Sequence, residues 1–317
     1  MSNKTKQLGQ YYTLYNPFIY NVFKEWLRNV NLTSDDVILE PFAGAGNLVS
    51  MINNLGFSNE WDCFDIEPGA SFVKYRDTIA NFPAGYKLCI TNPPYLAKNS
   101  ASRLGLDYPN TNYDDLYKLC INKCLENCDY VAAIIPESFI NSKELKERLS
   151  KVISLTKPMF EYTDCPVCLA LFNKKETKDF EVYKEDTFLS LYNSISINYI
   201  DLNYKFNDPK GDLGLYAVDN TAGRSIRFCR GEEIDSKSIK ISSRSYTRIS
   251  LPVLEYIDLD LFISKLNFKI EEFRNNTNDI YLTSFKGLRK DGFYRRRMDW
   301  KVAKYIITKT INNEEII

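Results

Sequence analysis

Short apolar runs alternate with helical segments through the first half of this 317-residue chain. Apolar, β-branched and aromatic residues concentrate in six runs, which predict strands over 36–40, 61–66, 87–91, 130–135, 167–172 and 180–184. Helical patterns between most of these runs predict helices over 17–30, 47–55, 113–127 and 143–149. Because parallel strands need crossover connections, this alternation predicts an α/β fold with a doubly wound, mostly parallel sheet. Sites in such sheets lie at the carboxyl ends of the strands.

The sequence pattern changes after about residue 185. Turn-rich stretches such as "NDPKGDLGLY" and "NTAGRS" appear there, and the predicted strands become short. We therefore expect two domains, one over residues 1–190 and a smaller one over residues 191–317.

The absence of histidine excludes several classes of chemistry. Ser-His-Asp and Cys-His catalysis and histidine-ligated metal sites all need an imidazole. Cys165 and Cys168 form a C-x-x-C without a second well-spaced pair, so packed thiols and no metal are expected. No apolar run has the length of a membrane span, and the first residues lack the apolar core of a signal peptide. We expect a cytoplasmic protein that does not associate with membranes.

A glycine loop follows the first predicted strand in "VILEPFAGAGNLVSMINNLG". Gly44 and Gly46 allow positive φ and a close approach of a ligand to the backbone. Asp65 lies about twenty residues further on, where a carboxylate can accept bonds from ribose hydroxyls. Val49 occupies the place of the third glycine of a dinucleotide fingerprint, which disfavours a pyrophosphate. Glu40 at the mouth of the loop suits a ligand with an ammonium group, such as S-adenosylmethionine; a simple packing turn is the alternative.

The tetrapeptide "NPPY" follows another predicted strand and shares the same edge of the sheet. Pro93 and Pro94 lack backbone donors and have fixed φ angles, so they hold Asn92 and Tyr95 on a stiff turn. The Asn92 side-chain oxygen and the Pro93 carbonyl can accept bonds from a planar exocyclic amine, such as N6 of adenine, and release its lone pair. Tyr95 can stack on the attached ring. We expect the prolines to keep Asn92 and Tyr95 from pairing with each other.

Six motifs in this order resemble those of the gamma-class DNA adenine-N6 methyltransferases: "QYYT", "LEPFAGAG", "DIEP", "TNPPY", "IPESF" and "CLALF". The resemblance covers roughly residues 8–175. It implies a Rossmann-like methyltransferase sheet, followed by a smaller target-recognition domain. It also implies S-adenosylmethionine as cofactor and double-stranded DNA as substrate, with the target adenine flipped out of the duplex. Such enzymes occur alone or in restriction–modification systems, where a cognate endonuclease acts on the same site without a stable complex being implied.

The resemblance assigns roles to individual residues on both sides of the crevice. Those that match the cofactor-binding segments are Tyr12, Thr13, Glu40, Pro41, Gly44, Gly46, Asp65 and, by a looser match, Asp77. Those that match the catalytic tetrapeptide are Asn92, Pro93, Pro94 and Tyr95. The family adds an aromatic residue on the other face of the flipped base, and "MFEYTD" offers Phe160 or Tyr162; the spacing favours Phe160, with a core aromatic as the alternative.

Basic residues interleaved with aromatic ones favour a nucleic-acid surface in the second half of the chain. Residues 224–248 contain seven basic and three acidic side chains, and residues 286–304 contain eight and two. Candidates for reading bases are Arg224, Arg244, Arg289 and Lys290, and candidates for phosphate contacts are Arg295, Arg296 and Arg297. Lys98 and Arg103, in a predicted loop after "NPPY", are candidates for the phosphate beside the flipped base. Solvated surface charge is the alternative for all of them.

Other activities remain open on the sequence. A glutamine-N5 methyltransferase of release factors also uses "NPPY", but would carry a helical domain before the sheet and little after it. An RNA adenine or guanine methyltransferase is barely distinguishable from a DNA enzyme. A nicotinamide oxidoreductase is disfavoured by Val49, and a non-enzymatic DNA-binding protein would not need both Asp65 and Asn92.

Overall fold

The computed structural model describes residues 13, 15–155, 159–160, 165–195, 197–240 and 243–312, apart from the side chains of residues 195 and 286. The chain divides into two compact units, Met1–Asn193 and Ser194–Ile317. None of the described helices combines the length and the apolar character needed to cross a membrane.

Nine strands form one sheet in the described part of the first unit. In chain order they are β1 (Ile38–Glu40), β2 (Trp61–Asp65), β3 (Lys74–Tyr75), β4 (Tyr86–Thr91), β5 (Cys128–Pro136), β6 (Leu149–Ser154), β7 (Val167–Phe172), β8 (Glu181–Lys184) and β9 (Thr187–Leu191). Their spatial order is β3-β2-β1-β4-β5-β7-β6-β8-β9. Five of the eight pairings are parallel, and β7 is antiparallel to both neighbours. The predicted α/β fold with a mostly parallel sheet is confirmed.

Helices α1 (Asn21–Val30), α2 (Asn47–Asn53), α3 (Lys98–Leu104) and α4 (Leu116–Asn127) accompany this sheet. Helices α1, α2 and α4 correspond to three of the predicted helices, and their bounds lie within a few residues of the predicted ones. The buried face of α1 packs on the central strands through Val22, Phe23, Trp26, Leu27 and Val30. On α4, Cys120 and Cys124 are buried, and the Cys124 sulfur lies 3.8 Å from that of Cys89 on β4. These thiols are part of the core.

Two local predictions are wrong. Residues 143–149 do not form a helix, because Leu145 has a φ of 58° and Leu149 begins β6, which pairs with β7. The helix-forming residues of "KELKERL" are overridden by this strand pairing. Residues 98–104, expected as a loop, form α3, whose cap at Ala97 is held by the Asp115 segment of the chain.

The second unit combines two small antiparallel sheets with two helices in its described residues. The larger sheet has the order β10-β13-β11-β12, formed by Lys205–Phe206, Tyr246–Ser250, Leu213–Tyr216 and Arg227–Arg230 respectively. The hairpin of β14 (Thr283–Leu288) and β15 (Tyr294–Arg297) forms the other sheet. The helices are α5 (Leu259–Thr277) and α6 (Trp300–Asn312).

A buried ionic cluster joins the parts of the second unit. The Asp219 carboxylate accepts bonds from both terminal nitrogens of Arg274, at 2.8 and 2.7 Å, and both side chains are fully buried. Arg274 also bonds to Asp279, and Arg289 lies 3.4 Å from Asp219. The Asp219 carboxylate further accepts the Ser225 main-chain N–H. The cluster therefore ties β11 and the segment before β12 to the end of α5 and the β14–β15 hairpin.

We expect Asp219→Ala to lower the free energy of unfolding of the second unit by about 3–5 kcal/mol, because it leaves buried guanidinium groups without a partner. Urea unfolding of the intact chain measures the change. Asp260→Ala is the matched control, since Asp260 pairs with Arg230 while 69% exposed and should have little effect. Equal shifts for both variants would contradict a stabilising role for the cluster.

Candidate active site

A cavity of about 290 Å³ opens at the carboxyl ends of β1, β2 and β4. The order of strands reverses between β1 and β4, which is the place where doubly wound sheets bind ligands. Seven residues singled out in the sequence line this one cavity: Thr13, Glu40, Gly44, Asp65, Asp77, Asn92 and Pro94. The glycine loop and the "NPPY" turn are therefore parts of one site.

The glycine loop is shaped by positive φ angles and by Asp65. Gly44 and Gly46 have φ angles of 53° and 73°, and Gly46 is the cap of α2. A Cβ atom on Gly46 would lie 2.2 Å from the far end of the exposed Phe72 ring, so a larger residue would need that ring to move and would be strained by the positive φ. The Asp65 carboxylate accepts the main-chain N–H groups of Gly44, at 2.7 Å, and Glu67, at 2.8 Å. Asp65 thus fixes the loop while its remaining lone pairs face the cavity.

Glu40 is the most unusual residue of the site. Its side chain is 1% exposed, and its Oε2 atom has no hydrogen-bond partner among the described residues. Burial, and then the negative charge of Asp65, raise the pKa of Glu40 well above its ordinary value. Burial likewise raises the pKa of Asp65. A cationic group entering the cavity would satisfy Glu40, so the site fits the ammonium end of S-adenosylmethionine.

Apolar side chains cover the other part of the cavity. Ile66, Ile79, Leu96 and Leu116 line it and offer an apolar surface for a planar ring. Asp77 is exposed, and its Oδ1 atom accepts the main-chain N–H groups of Ile79, at 3.1 Å, and Ala80, at 3.0 Å. The sequence did not single out these apolar residues, because isolated leucine and isoleucine side chains carry no motif.

Some predicted residues shape the site without lining it. The Pro41 carbonyl accepts the Thr78 hydroxyl at 2.8 Å, which joins the glycine loop to the segment that carries Asp77. Pro93 is buried behind the cavity wall. Tyr12 and Tyr162 lie outside the described residues.

Asn92 is held at both ends of its side-chain amide. Its Nδ2 atom donates to the Thr13 hydroxyl at 3.3 Å, and its Oδ1 atom accepts from the Tyr95 hydroxyl at 2.8 Å. The expectation that the prolines keep Asn92 and Tyr95 apart is therefore wrong. The turn directs the Tyr95 ring back toward β5, where its hydroxyl also lies 2.7 Å from the Ile134 carbonyl oxygen.

The two aromatic candidates contact each other. The Tyr95 and Phe160 ring centroids lie 5.9 Å apart with an interplanar angle of 71°, and Tyr117 meets Tyr95 edge-on at 6.2 Å. Phe160 is 4% exposed and packs in the core cluster. In this conformation neither ring forms part of the cavity wall, and burial raises the pKa of Tyr95.

The basic candidates fall into exposed, paired and buried groups. Lys98 and Arg103 are exposed on α3, and Arg244 and Lys290 are exposed in the second unit. Arg224 is also exposed, but it bonds to Asn275 and pairs with Glu271. The partly buried candidates are Arg295, which bonds to the Asp219 carbonyl, and Arg297.

Arg289 and Arg296 differ from the surface position expected for them. They are 7% and 8% exposed, and Arg289 makes bonds to Asp291 and Asp219. The Arg296 main-chain N–H donates to Asp219 and its guanidinium to Ser284. The acidic cluster around Asp219 draws the Arg289 guanidinium inward, which charge counts along the sequence could not reveal.

Residues 44–159 match the family model described as Eco57I restriction-modification methylase. This match supports a restriction-modification methylase interpretation of that segment, which contains Gly44, Asp65 and Asn92. No curated protein matches the chain.

Several solved structures are similar in fold. The M protein of the type I restriction enzyme EcoKI has a TM-score of 0.40 at 14% identity, over 55% of this chain and 48% of that one. The methyltransferase subunit of a type I restriction-modification system from Streptococcus thermophilus has 0.38 at 15% identity, over 56% and 48%. The type IIG restriction endonuclease BpuSI has 0.41 at 15% identity, over 88% and 36%. The chain thus spans half or less of the length of these proteins, and fold similarity at this level assigns no function.

We expect Glu40→Gln to stabilise the ligand-free protein at neutral pH and to weaken binding of S-adenosylhomocysteine. A raised pKa in the folded state means that the folded protein binds the extra proton, so the free energy of unfolding falls as the pH rises above 4.5, the ordinary pKa of glutamate. Glutamine does not titrate, so the part of the fall in unfolding free energy that comes from Glu40 should be absent in the variant. Thermal unfolding across pH and calorimetry measure the two effects, with exposed Glu60→Gln as control. If the unfolding free energy of the variant fell with pH as much as that of the wild type, Glu40 would not have the raised pKa of a buried carboxyl group without a partner.

Proposed function

We propose that the chain is an S-adenosylmethionine-dependent DNA methyltransferase that modifies N6 of a flipped-out adenine in duplex DNA, as part of a restriction–modification system. The observation that carries the proposal is that Asn92 lines the same cavity as Glu40 and Asp65. An amide acceptor for an amine thus adjoins a pocket suited to a nucleoside with a cationic amino-acid end. The methylase match over residues 44–159 supports the same function.

The residues of the site suit a direct transfer. When bound, the cofactor supplies a methyl group on a sulfonium, and its departure as a neutral thioether needs no covalent enzyme intermediate. Asn92 Oδ1 has a second lone pair besides the one that accepts from Tyr95, and the Pro93 carbonyl adds another acceptor. Together they hold the amine and favour a lone pair that is localised on its nitrogen. As the new N–C bond forms, the C–S bond breaks and a proton leaves the amine for solvent.

The duplex must be bound and distorted to bring an adenine to Asn92. Lys98 and Arg103 on α3 follow the "NPPY" turn closely and are exposed, which suits contacts with the phosphates beside the flipped base. In the second unit, Arg224, Arg244 and Lys290 are exposed basic candidates for DNA contacts. We assign residues 191–317 to target recognition on this basis.

RNA and protein amides remain the competing substrates, because the acceptors around Asn92 suit any planar amine or amide. Incubation of the purified chain with labelled S-adenosylmethionine and, separately, duplex DNA, RNA and release factor distinguishes them. We expect label in DNA only. Modification-sensitive sequencing of DNA from an expressing host then gives the target site, and protection at one site against a restriction endonuclease supports the pairing with such an enzyme.

We expect Asn92→Ala to reduce methyl transfer to DNA by at least about a hundredfold, in line with the loss of a transition-state acceptor. Binding of S-adenosylhomocysteine should persist, since Glu40 and Asp65 remain. Tritium transfer and calorimetry measure the two properties. Asn122→Ala on α4, which removes a surface amide that bonds to Glu126, is the matched control. Undiminished transfer by Asn92→Ala would refute the assignment.

A further inference from the structure

Thr13 joins the glycine loop to the catalytic turn. It is 3% exposed, and its side chain lines the cavity. Its main-chain carbonyl accepts from Asn47 Nδ2 at 3.1 Å, and Asn47 is the first residue of α2 after Gly46. Its hydroxyl accepts from Asn92 Nδ2 at 3.3 Å. Thr13 is thus anchored to one wall of the cavity by its backbone and reaches the other with its side chain.

The direction of the bond between Thr13 and Asn92 decides which atom of the amide meets a substrate. An asparagine amide has a donor end and an acceptor end of nearly equal shape, and a half-turn exchanges them. A threonine hydroxyl donates one proton and accepts other bonds, so by itself it tolerates either end. Once the hydroxyl donates its one hydrogen bond to another group, its oxygen can only accept hydrogen bonds. Only the NH₂ end of Asn92 can then face it.

We propose that Thr13 is a positioning residue that couples cofactor binding to the orientation of Asn92. An acceptor on the bound ligand, such as the carboxylate of its amino-acid end, accepts a hydrogen bond from the Thr13 hydroxyl. The hydroxyl then accepts only from Asn92 Nδ2, which keeps Oδ1 available to the target amine. This inference rests on the proposed function, because it presumes an amine that Asn92 must accept.

The other contact of the amide does not enforce this orientation, because the Tyr95 hydroxyl has one proton and the Ile134 carbonyl competes with Asn92 Oδ1 for it. The Tyr95 hydroxyl reaches Oδ1 at 2.8 Å and can donate to it, while Oδ1 keeps a second lone pair. With the amide turned over, the Tyr95 hydroxyl, which also lies 2.7 Å from the Ile134 carbonyl, would accept the NH₂ group and donate to that carbonyl. Tyr95 by itself therefore favours the turned-over amide, and we assign to the Thr13 hydroxyl, once it donates to the ligand, the role of holding Oδ1 toward the target amine.

Thr13→Val tests the coupling, because valine has nearly the same shape and no hydroxyl. We expect kcat at saturating S-adenosylmethionine to fall about tenfold, the effect of one lost hydrogen bond, in addition to weaker cofactor binding. Thr13→Ser keeps the hydroxyl and should recover kcat to within about twofold of the wild type. A Thr13 that merely binds cofactor would change KM for the cofactor and leave kcat at saturation intact, which would overturn the proposal.

A binding measurement gives a second readout that does not depend on turnover. With the unreactive analogue sinefungin bound, we compare Kd for duplexes with adenine or with purine, which lacks the amine, at the target position. The Kd for the adenine duplex divided by the Kd for the purine duplex should rise about fivefold in Thr13→Val relative to the wild type. It should not change in Thr13→Ser. The strength of base pairing cancels, because both proteins bind the same duplexes. An unchanged ratio would overturn the proposal.

The Asn92→Ala background isolates the pair. There, adding Thr13→Val should leave the adenine-to-purine ratio unchanged, since no amide remains to be oriented. A further change in that background would place the effect of Thr13 elsewhere and overturn the proposal. If Thr13→Val does not fold, Thr13→Ala removes the same hydroxyl without added bulk. Failure of the proposed function is distinct, because the wild type itself would then methylate no DNA.

Discussion

The parallel pairing of β1 with both β2 and β4 is the constraint on which the site depends. Parallel strands end at the same edge of a sheet, so Glu40, Asp65 and Asn92 emerge side by side although they are distant in sequence. The cavity exists because the crossover helices leave this edge in opposite directions on the two sides of β1. A shift of one residue in either register would turn these side chains to the other face.

Two buried carboxyl groups make the cavity electrostatically unusual. Asp65 holds the glycine loop through two main-chain N–H groups, whereas Glu40 lacks a partner at Oε2 among the described residues. The folded chain therefore carries an unfavourable interaction that a cationic ligand would relieve. Strain of this kind at a site, offset by packing elsewhere, is common where a protein binds its ligand. In the second unit, by contrast, Asp219 and Arg274 pair with each other and with further partners such as Asp279 and Ser225, which is the pattern of a structural cluster.

Most of the fold and the centre of the site were predictable from the sequence. Six strands, the mostly parallel character of the sheet and the shared position of Gly44, Asp65 and Asn92 follow from periodicity and from loops at strand ends, although β7 is antiparallel to both neighbours. Two of the failures share one cause. Helix propensity over residues 143–149 lost to pairing between β6 and β7, and the charge of Arg289 was turned inward by Asp219, because contacts distant in sequence outweigh local preference.

The sequence by itself determined the chemical inventory: no imidazole, a glycine loop with acids on either side, and an amide on a proline-stiffened turn. It also determined that these groups share one edge of a sheet, since the order of strands and loops is written in the alternation of the chain. Only the tertiary structure decided their hydrogen-bond partners. That Tyr95 turns toward Asn92 and Ile134, and that Thr13 reaches the Asn92 amide, depends on packing between segments up to 79 residues apart. No local pattern encodes such contacts.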